Sequence, residues 1–254
     1  TRKAKHEGLL WHEISVALLT AQSITETTDL KNPQQLSVTK FSVEPVMIGI
    51  HTVITDLVME TLPAHTVAKL GPVAMMAIQK KKDQDGITIL DGATNSYCGT
   101  GVTLNSGHIF AALQQVQSGG TTEPSSGIVN AVLHSRQVYA LQAEQLGGFG
   151  TYPVPEGISA ETFRKGFKGT LGGANIYVDD NITVDSTPDA KGGVFVREGI
   201  VLVEAYEAKI KNVRMENYGG GADALYIYER YAYGERSAGN WVAEIWSDAT
   251  APTS

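Results

Sequence analysis

Several places along this 254-residue chain hold residues that could begin a chemical site. His12-Glu13 opens the pattern in which two histidines one helical turn apart bind zinc beside a glutamate base. Val16 stands where the second histidine must ligate, and the segment reads as a strand, where positions i and i+4 lie too far apart for one ion. The glycine-rich run from Gly166 to Gly173 resembles a phosphate loop, but Lys168 lacks the glycine that must precede it. Gly148–Gly150 and Gly99–Gly101 both fail the dinucleotide pattern at its third glycine. Asp179 and Asp180 could hold a cation, although adjacent acids before Asn181 at a strand end are ordinary turn residues. Cys98 is the single cysteine; it excludes an intrachain disulfide and a thiolate cluster, and no base can be assigned to it. The expectation is a protein with no catalytic, cofactor-binding or metal-ligating residues, and no enzyme.

Composition is ordinary for a globular protein. Apolar content of 42% with 19% charge suits a globular chain long enough to bury a substantial core. A net charge of −7 argues against a dedicated nucleic-acid binder, which carries a basic stripe. No apolar run approaches the roughly 20 residues needed to cross a bilayer, and no secretory leader pattern follows the basic start, so no membrane partner is expected. Thr1 at the start admits two readings, a trimmed initiator Met or an upstream arm not present in this sequence.

The elements that would position any site fall into an α+β order. Residues 9–46 read as two extended arms around a polar tip at 25–35. Leu36, Val38, Phe41, Val43 and Met47 alternate with a phase slip near Thr39 and Lys40. Such a hairpin is marginal alone; it either enters the domain's own sheet or meets a partner surface. From Thr52 the period turns helical through Val53, Ile54, Leu57 and Val58, breaks at Pro63, and resumes through Val67, Leu70, Ala74, Ala77 and Ile78. Gly71-Pro72 is expected to kink that helix, Lys80, Lys81 and Lys82 to form its solvated last turn, and Gly86 to stop it. Residues 87–92 then lead into a polar, glycine-rich loop expected through Gly101.

Further on, Asn105-Ser106 caps a helix carrying Ile109, Phe110, Leu113 and Val116. Residues 127–133 read as a buried strand. Ser135 is expected to cap a helix closed by Gly147-Gly148, and a third helix is expected over 160–167. Two lobes joined by long connections follow from this mixture.

The last third is the most distinctive. A glycine-rich turn over 169–173 precedes the strand 174–178, a polar corner over 179–183, the strands 192–196 and 200–203, and two aromatic strands, 225–233 and 241–246. Six of the ten tyrosines lie in the last 49 residues. Tyr226 and Tyr228 share one strand face, while Tyr231 and Tyr233 share the other with Leu225 and Ile227. Aromatic residues on both faces belong either to a sandwiched core or to an interface.

This succession resembles the closing segment of tailed-phage major capsid proteins of the Hong Kong 97 fold, and the resemblance covers nearly the whole chain, strongest after Ile87. It implies a residual N-terminal arm at 1–8 and an extended loop at 9–46. It also implies a peripheral domain with a long helix at 47–98 and 204–233, and an axial domain at 99–203 and 234–254. Two features depart from the family pattern: the arm is missing or short, and the helix is broken at Pro63 and at Gly71-Pro72. The implied function is a structural subunit that self-assembles through hexamers and pentamers into an icosahedral shell. That shell would enclose double-stranded DNA without sequence-specific binding, in a virion assembled in the host cytoplasm, with scaffold, portal or decoration partners. Some members crosslink a lysine to a neighbour's asparagine; no motif carries that over to Lys31 or Lys40. An encapsulin-type compartment, which shares the fold and loads protein cargo, is one alternative. A non-assembling β-rich binding module is another.

Overall fold

A computed structural model describes residues 2–3, 10–17, 19–21, 23–24, 33–62, 69–118, 127–149, 169–236 and 239–252. The helix expected over 160–167 and most of the polar hairpin tip lie outside the described residues. The chain is α+β, as its periodicity implies, and divides into two compact units.

The first unit comprises Thr1–Trp11, Ser42–Gly86 and Val201–Gly234. Its four-stranded sheet has the order β1-β10-β11-β4, with β1 Arg2–Lys3, β4 Val46–Thr55, β10 Ile200–Met215 and β11 Ala222–Glu235. Strands β4 and β11 run antiparallel in unbroken register from Ala222↔Thr55 to Tyr231↔Val46. The helix expected from Thr52 is therefore corrected. Thr52, Val53, Ile54 and Thr55 are a β-branched run, which suits a pleated surface better than a helix, and helix α1 begins only at Asp56 (Asp56–Thr61).

Helix α2 (Leu70–Asp91) revises three more expectations. The Val73 N–H already bonds the Lys69 carbonyl, so Pro72 sits in the first turn, where its missing donor has no helical acceptor to lose, and it forces no kink. Gly86 does not stop the helix. A Cβ there would lie 3.4 Å from the Tyr233 ring, an ordinary contact, and the helix carries the glycine at a propensity penalty of about 1 kcal/mol. Ile87 to Asp91 instead complete the helix, and the Gly92 N–H closes on the Thr88 carbonyl. Lys80, Lys81 and Lys82 are consequently mid-helix. Ala74 and Ile78 pack on Ile227, flanked by Ile48, Ile50 and Leu225.

The second unit comprises His12–Phe41, Ile87–Ile200 and Glu235–Ser254. Its six-stranded mixed sheet has the order β5-β12-β9-β6-β8-β7. The strands are β5 Ser96–Thr103, β6 Val129–Leu133, β7 Thr170–Leu171, β8 Ala174–Val178, β9 Asp189–Val196 and β12 Val242–Asp248. Helix α3 (Ser106–Ser118) turns Ile109, Ala112, Leu113 and Val116 inward at the predicted spacing. They share one core with Val129, Ala131 and Leu133 of β6, Val194 and Val196 of β9, and Ala243 and Ile245 of β12. Asn105 caps α3 as expected, its Oδ1 accepting the His108 N–H at 3.1 Å. The expected polar loop through Gly101 is instead β5, whose irregular backbone shows in positive φ at Cys98, Gly99 and Gly101.

Helix α4 (Ser135–Phe149) continues through Gly147 and Gly148. Its cap is not Ser135 but His134, whose carbonyl accepts the Val138 N–H at 3.1 Å. Gly172 and Gly173 form the turn into β8 with φ of 59° and 92°, as the sequence suggests. A Cβ on Gly172 would also lie 2.5 Å from the Phe110 ring, so both backbone and space require glycine there.

Candidate assembly surface

Strands β2 (Trp11–Val16) and β3 (Val38–Val43) form a two-stranded sheet of their own. They do not enter either larger sheet among the described residues. Beyond the strands the Ala17 N–H reaches the Ser37 carbonyl at 3.0 Å. The Gln34 side chain then closes a two-way bridge to Thr20, accepting its N–H at 2.8 Å and donating to its carbonyl at 2.5 Å. One side of β2 rests on protein, since Ser15 is buried and the Arg236 guanidinium donates to the Ile14 carbonyl at 3.0 Å. The apolar side chains point elsewhere: Ile14 is 55% exposed, Leu19 58%, Leu36 56% and Val38 50%. Trp11 is half-buried, while Leu9 and Leu18 lie outside the described residues. A two-stranded ribbon with this much uncovered apolar surface is an aggregation liability unless another surface covers it.

In the first unit, strand β11 has different surroundings on its two faces. On one, Ile227, Glu229 and Tyr231 are buried beneath α2. The Tyr231 hydroxyl donates to Asp85 at 2.8 Å, and its ring meets Tyr233 edge-on at 5.9 Å. Burial, reinforced at Tyr231 by the Asp85 carboxylate, pushes both phenols above their ordinary range. On the other face Tyr226 stacks flat on the exposed ring of His51 at 4.3 Å, and Tyr228 meets Tyr206 edge-on at 6.1 Å. That face is only half-buried. Two-sided aromaticity thus resolves into one core face and one face still partly open to solvent.

Charge is used to hold elements together. The Lys82 ammonium sits 2.5 Å from Glu204 and 2.7 Å from the buried Glu229. Burial alone would lower its pKa, but its hydrogen bonds to the two carboxylates prevail and raise it. The basic run is therefore in part a buried structural charge, a role invisible to sequence reading because its partners lie 122 and 147 positions away. Arg214 likewise gathers Asp56, Glu216 and Asp223.

The residues singled out for chemistry are occupied by local structure. His12 lies on β2. Asp179 accepts the Asn181 N–H two residues on, as a turn residue does, and Asp180 accepts the Ser135 N–H at the start of α4. The Cys98 thiol faces the Val102 carbonyl at 3.4 Å, and burial pushes its pKa up, away from a reactive thiolate. A groove of about 440 Å³ beside α4 is lined by Leu104, Asn105, Arg136, Tyr139, Glu144 and Asp248. Its Glu144 is engaged by the backbone and hydroxyl of Ser106. Among the described residues no cluster of histidine, cysteine or acidic groups could hold a metal, and no helix is long and apolar enough to cross a membrane.

No family model matches the sequence, and comparison with curated proteins finds no similar sequence. Solved structures do match in shape. The head structure of Helicobacter pylori bacteriophage KHP40 superposes with a TM-score of 0.74 at 10% identity, over 96% of this chain and 86% of that one. The capsid of Ralstonia phage GP4 gives 0.71 at 13% identity, over 97% and 85%. The holo-SrpI encapsulin complex from Synechococcus elongatus gives 0.61 at 9% identity, over 86% and 80%. The chain has the Hong Kong 97-like fold of these shell structures.

Proposed function

We propose that this chain is a major capsid protein, the subunit that self-assembles through hexamers and pentamers into the icosahedral head of a tailed bacteriophage around double-stranded DNA. The observation that carries the reading is likeness to phage head structures over 96–97% of this chain, in which the β2–β3 hairpin leaves Ile14, Leu19, Leu36 and Val38 half or more exposed. On this reading residues 9–46 are the extended loop and 1–8 a short arm. Residues 47–98 and 204–233 are the peripheral domain, and 99–203 with 234–254 the axial domain. Head-to-tail contacts made by such a loop are heterologous and close into rings when the rotation permits, each burying on the order of 2,000 Å² or more. A net charge of −7 lets enclosed DNA slide along the wall instead of adhering. The role is structural, not enzymatic; assembly takes place in the host cytoplasm with scaffold, portal or decoration proteins as partners.

Negative-stain microscopy and sedimentation of the purified protein test this reading. Closed shells or rings are expected, whereas a compact monomer at high micromolar concentration, with scaffold supplied, would sink it. An encapsulin-type compartment is the second reading, favoured by the SrpI likeness, though at lower TM-score and coverage than the phage heads. Absorbance of purified particles separates the two, nucleic acid for a head and protein cargo for a compartment.

A further inference from the structure

Helix α4 begins on an uncommon acceptor. His134 is the N-cap, and its Nδ1 accepts the Arg136 N–H at 3.2 Å, the bond a serine or aspartate side chain usually takes. Gln137, three residues on, reaches back and accepts the His134 N–H at 2.9 Å. Together these make a reciprocal capping box with imidazole in place of a hydroxyl. The same Gln137 is fully buried, and its amide donates to the Ala190 carbonyl of β9 at 2.9 Å and to the Ser247 hydroxyl of β12 at 2.8 Å. One capping residue therefore sets both the start of α4 and its attachment to two central strands.

We propose that His134 is an acid-operated latch: neutral, it closes the N-terminus of α4 and keeps Gln137 aimed at β9 and β12; protonated, it opens that end of the helix. An imidazole accepting at Nδ1 carries its proton on Nε2. A second proton must land on Nδ1, turning the acceptor into a donor that faces the Arg136 N–H. It also places a cation at the positive end of the helix dipole, in a residue only 8% exposed. The charged groups facing the ring are Arg136 from α4, and Asp179 and Asp180 from the corner after β8. Asp180 lies 3.8 Å from Nε2, but its side chain is 71% exposed, so water weakens its pull. Burial, with Arg136, outweighs both aspartates and holds the imidazole below its ordinary range. The sign follows: the contribution of the neutral cap is complete above the unfolded value near about 6.5 and is lost as pH falls through the lower folded value. The latch stays shut at neutral pH and releases in acid, below the ordinary imidazole range.

Hydrogen–deuterium exchange of the full chain, in whatever assembly state it adopts, reads this directly at about pH 7.5 and about pH 5. After correction for intrinsic exchange rates, the amides of Arg136, Gln137 and Val138 should lose protection in acid by roughly fivefold or more, the equivalent of a lost cap. His134→Ser, which keeps the capping box without a titrating group, should abolish that pH dependence. Equal wild-type protection at both pH values would overturn the proposal, as would the same acid loss in His134→Ser. If the serine variant does not fold, the wild-type comparison alone still decides.

Discussion

Strand β6 and the β2–β3 hairpin both carry apolar side chains, and the fold treats them in opposite ways. Val129, Ala131 and Leu133 of β6 are wholly enclosed between helices and neighbouring strands, with β8 on one edge and β9 on the other. Ile14 of β2 and Val38 of β3 carry comparable side chains and stand half bare, on strands that pair only with each other among the described residues. The difference lies not in local sequence but in what each strand can reach. A strand with two neighbours and a helix buries its pattern inside the subunit, whereas a lone hairpin must find cover elsewhere. The central sheet should therefore answer for folding, and the hairpin, on the proposed function, for assembly.

The largest expected effect tests the folding half. Ile109 projects from α3 into the core without solvent contact. Ile109→Ala should lower unfolding stability by about 2–5 kcal/mol, read as a fall in denaturant midpoint at unchanged slope. A loss under about 1 kcal/mol would mean this core is looser than its packing implies.

Next in size is Gly172→Val, in the turn that delivers β8 to β6. The residue must hold φ of 59° with a branched side chain pressed on Phe110. A loss of about 1–3 kcal/mol is expected; unchanged melting would mean the glycine is incidental to the turn. This position was legible beforehand, because paired glycines before a short apolar strand have few uses other than positive φ. The spacing of Ile109, Ala112, Leu113 and Val116 was equally plain, being a local consequence of helical period.

What escaped the sequence was decided at a distance. Gly86 reads as a stop until Tyr233 is placed against it. Thr52 to Thr55 read as a helix until β11 supplies a pairing partner. Lys82 reads as solvated until Glu204 and Glu229 converge on it. In each case tertiary contact overrode a local preference worth no more than about 1 kcal/mol. The latch at His134 was missed for another reason: histidine is an uncommon cap, and the adjacent Ser135 offers the commoner signal.

A smaller, pH-dependent effect comes from Asp189, at the start of β9. Its carboxylate is buried and accepts from Thr100, Gly101 and Thr187, which hold its pKa below the usual range, the Thr100 hydroxyl foremost. A depressed acid contributes stability that is complete above its unfolded value near about 3.9 and is lost as pH falls through the folded value. Asp189→Asn should therefore destabilise the chain at neutral pH and flatten its melting curve against pH below about 4. A variant that keeps the wild-type acid slope would move that slope to other carboxylates, Asp185 and Asp180 among them.

The smallest expected effect on stability carries the comparison furthest. Ile14→Asp and Leu19→Asp change side chains that stand more than half exposed on the subunit, and the Arg236 bond to residue 14 uses its backbone carbonyl, which the change leaves in place. Melting should stay within about 0.5 kcal/mol of wild type, as for surface substitutions away from special features. If neighbours cover the hairpin, each substitution buries a carboxylate in an apolar contact, a penalty of several kcal/mol repeated at every copy around the assembly. The outcome expected is a cooperatively melting subunit that sediments as a small species and builds no shells, with circular dichroism and microscopy done on one preparation. An unfolded variant would return the hairpin to the subunit's own core, and a folded variant that still builds normal shells would leave these side chains with no part in assembly.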